Sequence, residues 1–217
     1  VFFLENPHYI GGGDYCIFKI AEYMSKRGHE ILIFAKAKNA FFESYALPKN
    51  LKINYRFSFD SKFKGYGFIN RIIDKIYTSL VINKYLKRNK DIDFLVGYLR
   101  DSAIKTSKLG KKFQIKTLNF FFESPPWMEI DLKNEWEKDY VGKFKKSWQR
   151  TKKAYLETDI LIGNSKLSKK YCEKWINKKT QGVIFPGFDI NFIDKNNKIK
   201  KQNQIIYIGR LSKFKNV

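Results

Sequence analysis

Apolar residues along the chain fall into two alternating patterns. Short unbroken runs, such as Val1-Phe2-Phe3-Leu4, Ile31-Leu32-Ile33-Phe34-Ala35 and Phe94-Leu95-Val96-Gly97-Tyr98, read as buried strands. Between the first two of these runs, Ile17, Ile20, Ala21 and Met24 recur at the three- and four-residue spacing of one helix face. That spacing predicts an amphipathic helix with Asp14 as its N-cap and Gly28 as its stop. The loop leading into it passes through Glu5-Asn6-Pro7 and Gly11-Gly12-Gly13.

The same alternation carries on for most of the chain. Further strands are predicted at 51–57, 94–98, 115–122, 159–163 and 182–185, with helices at 68–88, 102–109, 132–156 and 168–175. Strands separated by helices imply crossover connections, hence parallel strands with both sheet faces covered. The expected fold class is α/β, a Rossmann-like doubly wound parallel sheet. Beyond Pro186-Gly187 the pattern breaks: residues 194–204 are almost entirely Lys, Asn and Gln and offer nothing to a core. A fresh apolar run, Ile205-Ile206-Tyr207-Ile208, then begins another strand, which needs partners of its own. The expected organisation is a domain at 1–187, a linker at 188–203, and at 204–217 the start of a second domain that the sequence stops inside. The abrupt first strand likewise suggests at least one further residue before Val1.

Composition narrows the setting. The 217 residues are 43% hydrophobic, ample for one large core. No apolar run reaches the roughly 18 residues of a spanning helix, and the N-terminus lacks the order of a signal peptide, so a cytoplasmic protein is expected. Cys16 and Cys172 belong to no ligand or disulfide spacing and read as buried, reduced thiols. Lys and Arg outnumber Asp and Glu by 43 to 21, a net +22 that attracts nucleic acid, anionic lipid or phosphorylated substrates. Part of this excess reads as compositional bias, since Lys, Asn, Ile, Phe and Tyr are abundant together. A non-catalytic, basic nucleic-acid or anionic-surface binding protein is the rival reading, but no nucleic-acid motif accompanies the charge and no specific nucleic-acid partner is expected.

Five landmarks then stand in order: Gly11-Gly12-Gly13, Arg27-Gly28-His29-Glu30, residues 158–165 from Thr158 to Asn164-Ser165, residues 183–189 around Pro186-Gly187, and Tyr207-Ile208-Gly209-Arg210-Leu211 with Lys215-Asn216. In this order they resemble family-4 retaining glycosyltransferases of the GT-B fold, and the likeness covers most of the chain. The resemblance implies the N-terminal, acceptor-side domain of such an enzyme, truncated before its second Rossmann-like domain. It implies transfer of a hexosyl group, with retention, from a nucleotide diphosphate sugar to a hydroxyl acceptor, either lipid-linked or a polysaccharide glycan. No cofactor beyond that co-substrate and no metal are implied, because cationic side chains take the metal's place at the diphosphate.

On the same resemblance, Arg210 and Lys215 hold the donor diphosphate, where fixed cations stabilise the charge that builds as the sugar leaves. Gly12 and Gly13 suit the same group, since glycine lets backbone amides approach a phosphate at the positive end of a helix. The run is not a dinucleotide fingerprint: it lacks the G-x-G-x-x-G spacing, and Ala35-Lys36 stand where that motif needs an acid. His8, Phe122 and Trp127 are expected around the acceptor. In many relatives the strand matching 115–122 ends in a histidine near the reacting carbon; here Phe120-Phe121-Phe122 is followed by Glu123-Ser124-Pro125-Pro126. Glu123 is the catalytic candidate in its place, by hydrogen bonding or by assisting the acceptor hydroxyl, and it equally suits a cap or an ion pair with lysine. Ser165 is expected to cap a helix. This fragment alone is expected to be inactive, because the family's donor-sugar glutamates would lie downstream of Val217.

Two basic stretches suggest a peripheral position on the inner face of a membrane. Lys62 and Lys64 sit among aromatics just before the helix expected at 68–88, and Lys145 and Lys146 belong to a cluster that runs past Trp148 to Lys153. Within 68–88, Ile69, Ile72, Ile73, Ile76, Leu80 and Val81 form one stripe, expected to pack on the sheet.

Overall fold

A computed structural model of the chain describes residues 1–4, 11–36, 46–56, 66–123, 141–187 and 203; the side chains of 66, 67 and 141–145 are not among those described. The strands are β1 (Phe2–Leu4), β2 (Ile31–Ala35), β3 (Leu51–Tyr55), β4 (Phe94–Gly97), β5 (Lys116–Phe121), β6 (Ile160–Gly163) and β7 (Gly182–Val183). The helices are α1 (Gly12–Lys26), α2 (Tyr66–Tyr77), a π-helical turn (Thr78–Ile82), α3 (Asn83–Arg88), α4 (Arg100–Phe113), α5 (Val141–Leu156) and α6 (Lys166–Ile176). The expected helix at 132–140, the linker and the start of a second domain lie outside the described residues, Asn203 apart.

The strands form one sheet in the order β3-β2-β1-β4-β5-β6-β7, every pairing parallel. The order reverses between β1 and β4, so the helices that follow these two strands leave on opposite faces. In open α/β sheets such a reversal opens a crevice at the carboxyl ends of the strands. One face is filled by Phe2, Leu4, Ile17, Phe18, Ile33, Val96, Tyr98 and Phe120, which pack β1, β2 and β4 against α1. The other carries Phe3, Phe34, Ile82, Leu86, Leu95 and Leu109 beneath the β3-to-β4 crossover, and Phe121, Tyr155, Leu161, Cys172 and Ile176 beneath α5 and α6.

Helix ends follow local chemistry. The Ser165 hydroxyl accepts from Ser168 N at 3.0 Å while the Ser168 hydroxyl accepts from Ser165 N at 3.0 Å, so the expected cap is reciprocal. Gln114 and Asn177 end α4 and α6 in the left-handed region. Gly28, with φ +94°, stops α1 as expected.

Three expectations are corrected. Asp14 is not the N-cap of α1: Gly11 is, and Asp14 lies three positions inside, its carboxylate turned back to accept from Gly11 N at 3.0 Å. The apolar stripe of 68–88 does not pack whole on the sheet, for Ile72, Ile76 and Leu80 are exposed. A stripe that wide exceeds what one side of a helix can bury, and the π turn rotates the inward face partway along. Cys172 is buried, but Cys16 is only half-buried. Among the described residues, no helix is long and apolar enough to cross a membrane.

Candidate functional site

The crevice between β1 and β4 is built from short-range constraints. Phe2 stands opposite Val96, so Leu4 reaches the level of Tyr98 at the carboxyl edge of the sheet. α1 begins at this edge, at Gly12, and Gly12 itself is exposed. A side chain placed at Gly12 would meet nothing within 4 Å, and one at Gly13 would only touch the Tyr98 ring at 3.9 Å. Glycine is therefore not demanded by packing at either position. Its effect is to add no side chain over the first turn of α1, which sits at the positive end of the helix dipole.

Buried beneath this edge are Asp14 and Tyr98. The Tyr98 hydroxyl donates a short hydrogen bond to Asp14 Oδ1, and Asp14 is only 4% exposed. The Tyr98 ring in turn meets Phe122 edge-on at 6.1 Å, and Phe122 tilts against Phe120 at 6.0 Å. On the other side of β4, Ser102 fixes the turn into α4: its hydroxyl accepts from Tyr98 N at 2.9 Å and Leu99 N at 3.0 Å, and donates to Leu99 O at 3.0 Å. These contacts hold Tyr98 rigidly at the reversal.

Glu123 lies just past β5 and is exposed. Phe121 belongs to the core of the α5–α6 face and Phe122 to that of the α1 face. Burial raises the Tyr155 hydroxyl far above the ordinary tyrosine range, Cys172 and the Glu123 charge raising it further and Arg100 opposing them. Arg100 itself stacks over Trp148 at 5.0 Å. Glu123 thus acts electrostatically on the α5 side of the edge, whereas Phe122 closes the crevice beside Tyr98.

A second polar group, not singled out from the sequence, occupies the same edge on the crossover face. Lys36, Arg56, Asp74, Tyr77 and Lys105 line a cavity of about 10 Å3, room for about one water. Arg56 Nη1 donates to Asn70 O at 2.8 Å, Lys105 Nζ lies 3.0 Å from Asp74 Oδ1, and Arg56 Nε, 3.9 Å from the same Asp74 oxygen, has no hydrogen-bond partner among the described residues. Burial pushes the Tyr77 hydroxyl up to about 12. Lys36 and Arg56 follow β2 and β3, Asp74 and Tyr77 lie on α2 and Lys105 on α4, so no single local spacing announces the group.

Gly13 and Phe122 thus both adjoin Tyr98, with Gly12 beside Gly13 and Glu123 next along the same sheet edge. His8, Trp127, Arg210, Lys215, Lys62 and Lys64 lie outside the described residues, as does the Lys145 side chain. Lys146 is exposed, while its neighbour Trp148 is buried against Trp175, ring centroids 5.5 Å apart. Among the described residues, no group of three or more His, Cys, Asp or Glu is placed to hold a metal ion.

No family model matches the chain, and no curated protein sequence does either. Solved structures match by shape. Alr3699/HepE from Anabaena, in complex with UDP, is 15% identical with a TM-score of 0.56, over 88% of this chain and 44% of that one. Apo UGT2 from Phytolacca americana is 9% identical with a TM-score of 0.60, over 91% and 54%. Sucrose-phosphate synthase from Thermosynechococcus elongatus is 11% identical with a TM-score of 0.58, over 85% and 47%. This chain spans about half the length of those proteins, which are GT-B glycosyltransferases. At such identities the likeness establishes the fold: a Rossmann-like α/β unit of the kind that makes up half of a GT-B architecture.

Proposed function

We propose that the chain is the acceptor-side half of a glycosyltransferase that moves a hexosyl group from a nucleotide diphosphate sugar to a hydroxyl acceptor, a lipid-linked or polysaccharide glycan, with retention and without a required metal. The observation that carries this reading is the strand-order reversal between β1 and β4, where α1 begins, open at Gly12, at the carboxyl edge near Tyr98 and Phe122, the place where open α/β sheets bind ligands. The fold likeness supports it, since HepE is described with UDP and with UDP-glucose.

In this reading the chain supplies half of a cleft whose other wall is a second Rossmann-like domain. The Gly12 and Gly13 amides approach the donor diphosphate, and Arg210 and Lys215 neutralise it as the sugar leaves. Phe122, Trp127 and His8 line the acceptor side. Glu123 receives a hydrogen bond from the acceptor hydroxyl and draws off its proton as the new glycosidic bond forms. The rival reading, a basic binding protein, has charge in its favour and no part of the crevice.

The test is product analysis with the intact protein that contains this chain, a panel of nucleotide sugars and membrane or glycan acceptors. Transfer from one donor with the anomeric configuration kept, undiminished by chelator and abolished in Arg210→Ala, is the expected result. Inverted product, chelator sensitivity, or activity unchanged in Arg210→Ala would each contradict the corresponding clause.

A further inference from the structure

The helical crossover between β3 and β4 presents two unlike faces. Its inward face runs from Tyr77 to Ile82, a five-residue step, and then to Leu86, a four-residue step, and Ile82 and Leu86 are each only 1% exposed. The wide step coincides with the π turn at Thr78–Ile82, which takes up the extra residue. The outward face repeats every fourth residue: Phe68, Ile72, Ile76 and Leu80 are 69%, 43%, 52% and 65% exposed. An apolar stripe about 18 Å long therefore faces solvent.

The exposed charges of residues 68–88 themselves have one sign, the carboxylates of Asp91 and Glu30 acting on Tyr85 at the far end. Arg71, Lys75, Lys84, Lys87 and Arg88 are exposed. The one carboxylate of residues 68–88, Asp74, is half-buried and turned to Lys105 on α4, 3.0 Å away. Where the stripe ends, Leu80, Val81, Lys84, Tyr85, Arg88 and Asn89 line an open groove of about 540 Å3 that mixes apolar and cationic side chains.

We propose that this face docks the protein on an anionic lipid surface, with Phe68, Ile72, Ile76 and Leu80 among the acyl chains and Arg71, Lys75, Lys84 and Arg88 on lipid phosphates. A large exposed apolar stripe marks an interaction surface. A lipid interface offers an apolar interior beneath a layer of phosphates, and this face carries an apolar stripe with cations beside it. A second copy of the chain is disfavoured, because a two-fold pairing through the stripe would bring these cations against their own copies. The inference names the surface that would bring a lipid-linked acceptor to the proposed transferase, and it is read by binding alone, without any transfer.

The test is co-sedimentation of the chain with vesicles of phosphatidylcholine, with and without phosphatidylglycerol. Wild type is expected to bind the mixed vesicles and to leave the neutral ones largely free. Ile76→Asp/Leu80→Asp, both on exposed positions, is expected to lower the partition coefficient by about tenfold or more with an unchanged circular dichroism spectrum. Lys75→Glu/Lys84→Glu/Lys87→Glu should do the same, while Lys108→Glu/Lys111→Glu/Lys112→Glu, an equal change of charge on exposed positions of α4, should lower it about threefold or less. Equal losses in the two charge variants would mean attraction by net charge alone and overturn the proposal. Full binding by Ile76→Asp/Leu80→Asp, or a dimer in solution that this variant breaks while lipid binding persists, would overturn it equally.

Discussion

The hydroxyl of Tyr98, just past β4, donates a hydrogen bond to the carboxylate of Asp14 in the first turn of α1, joining residues 84 positions apart across the point where the strand order reverses. The same carboxylate accepts from Gly11 N at 3.0 Å. One buried acid thus sets both the start of α1 and the floor of the crevice. Tyr98→Phe removes a charge-assisted bond and leaves one buried oxygen without this donor, at a cost of about 1.5–3 kcal/mol. Urea unfolding is expected to show a lower midpoint with an unchanged slope.

Gly97, one residue earlier, is fixed by crowding. A Cβ there would press on Asn119 Oδ1, lie 2.7 Å from Thr106 Oγ1 and 2.9 Å from Ser102 O. Asn119 has little freedom to retreat, since its Nδ2 donates to Thr158 Oγ1 at 2.7 Å, which in turn donates to Ala154 O at 2.7 Å. Gly97→Ala is expected to destabilise by about 1–3 kcal/mol. Gly12→Ala, in open space at the helix start, is the matched control and should stay within about 0.5 kcal/mol in the same thermal melt.

Acid weakens the joint between α6 and β7. Glu173 accepts from Lys169 Nζ at 2.8 Å and from Thr180 N at 2.8 Å, which brings its carboxyl down from 4.5 to about 2. A carboxyl lowered on folding contributes stability that is whole above the unfolded value and is lost as pH falls from about 4.5 to about 2. Water screens this pair, so the contribution is about 1 kcal/mol. Glu173→Gln should be less stable near neutrality, and its stability should fall less steeply across that acid range, as followed by tryptophan fluorescence.

The two thiols should behave differently. Burial raises the Cys172 thiol to about 12 and leaves it no path to solvent, whereas Cys16 is half-buried. A thiol reagent at neutral pH is expected to modify Cys16 slowly in the folded chain and Cys172 only after denaturant is added. Rapid reaction at Cys172 would contradict the packing of α6 on Phe121 and Leu161.

Much of the fold was legible because strands buried on both faces must be apolar throughout, as Ile31 to Ala35 and Phe94 to Val96 are. Periodicity also revealed the stripe from Ile72 to Leu80, yet it could not say which way the stripe faces, since that depends on the π turn and on what lies beneath. β7 is shorter than its apolar run because it ends the sheet, so Ile184 and Phe185 are left exposed. Of the site, the glycines stood out by type alone. Asp14 stood out only as an expected cap, and Tyr98, Arg56 and Lys105 not at all, because tertiary contacts between distant elements give them their significance.

The central claim is that the crevice over the α1 first turn is where donor and acceptor meet, and Gly12→Leu probes it most directly. Nothing lies within 4 Å of the added Cβ, so the fold should keep its melting temperature while the side chain occupies the space over the helix start. Release of nucleoside diphosphate by the intact protein, supplied with its nucleotide sugar and acceptor, is expected to fall by about tenfold or more, the cost of a misplaced donor. Release equal to wild type from a stably folded Gly12→Leu protein would contradict the claim and put the reaction elsewhere.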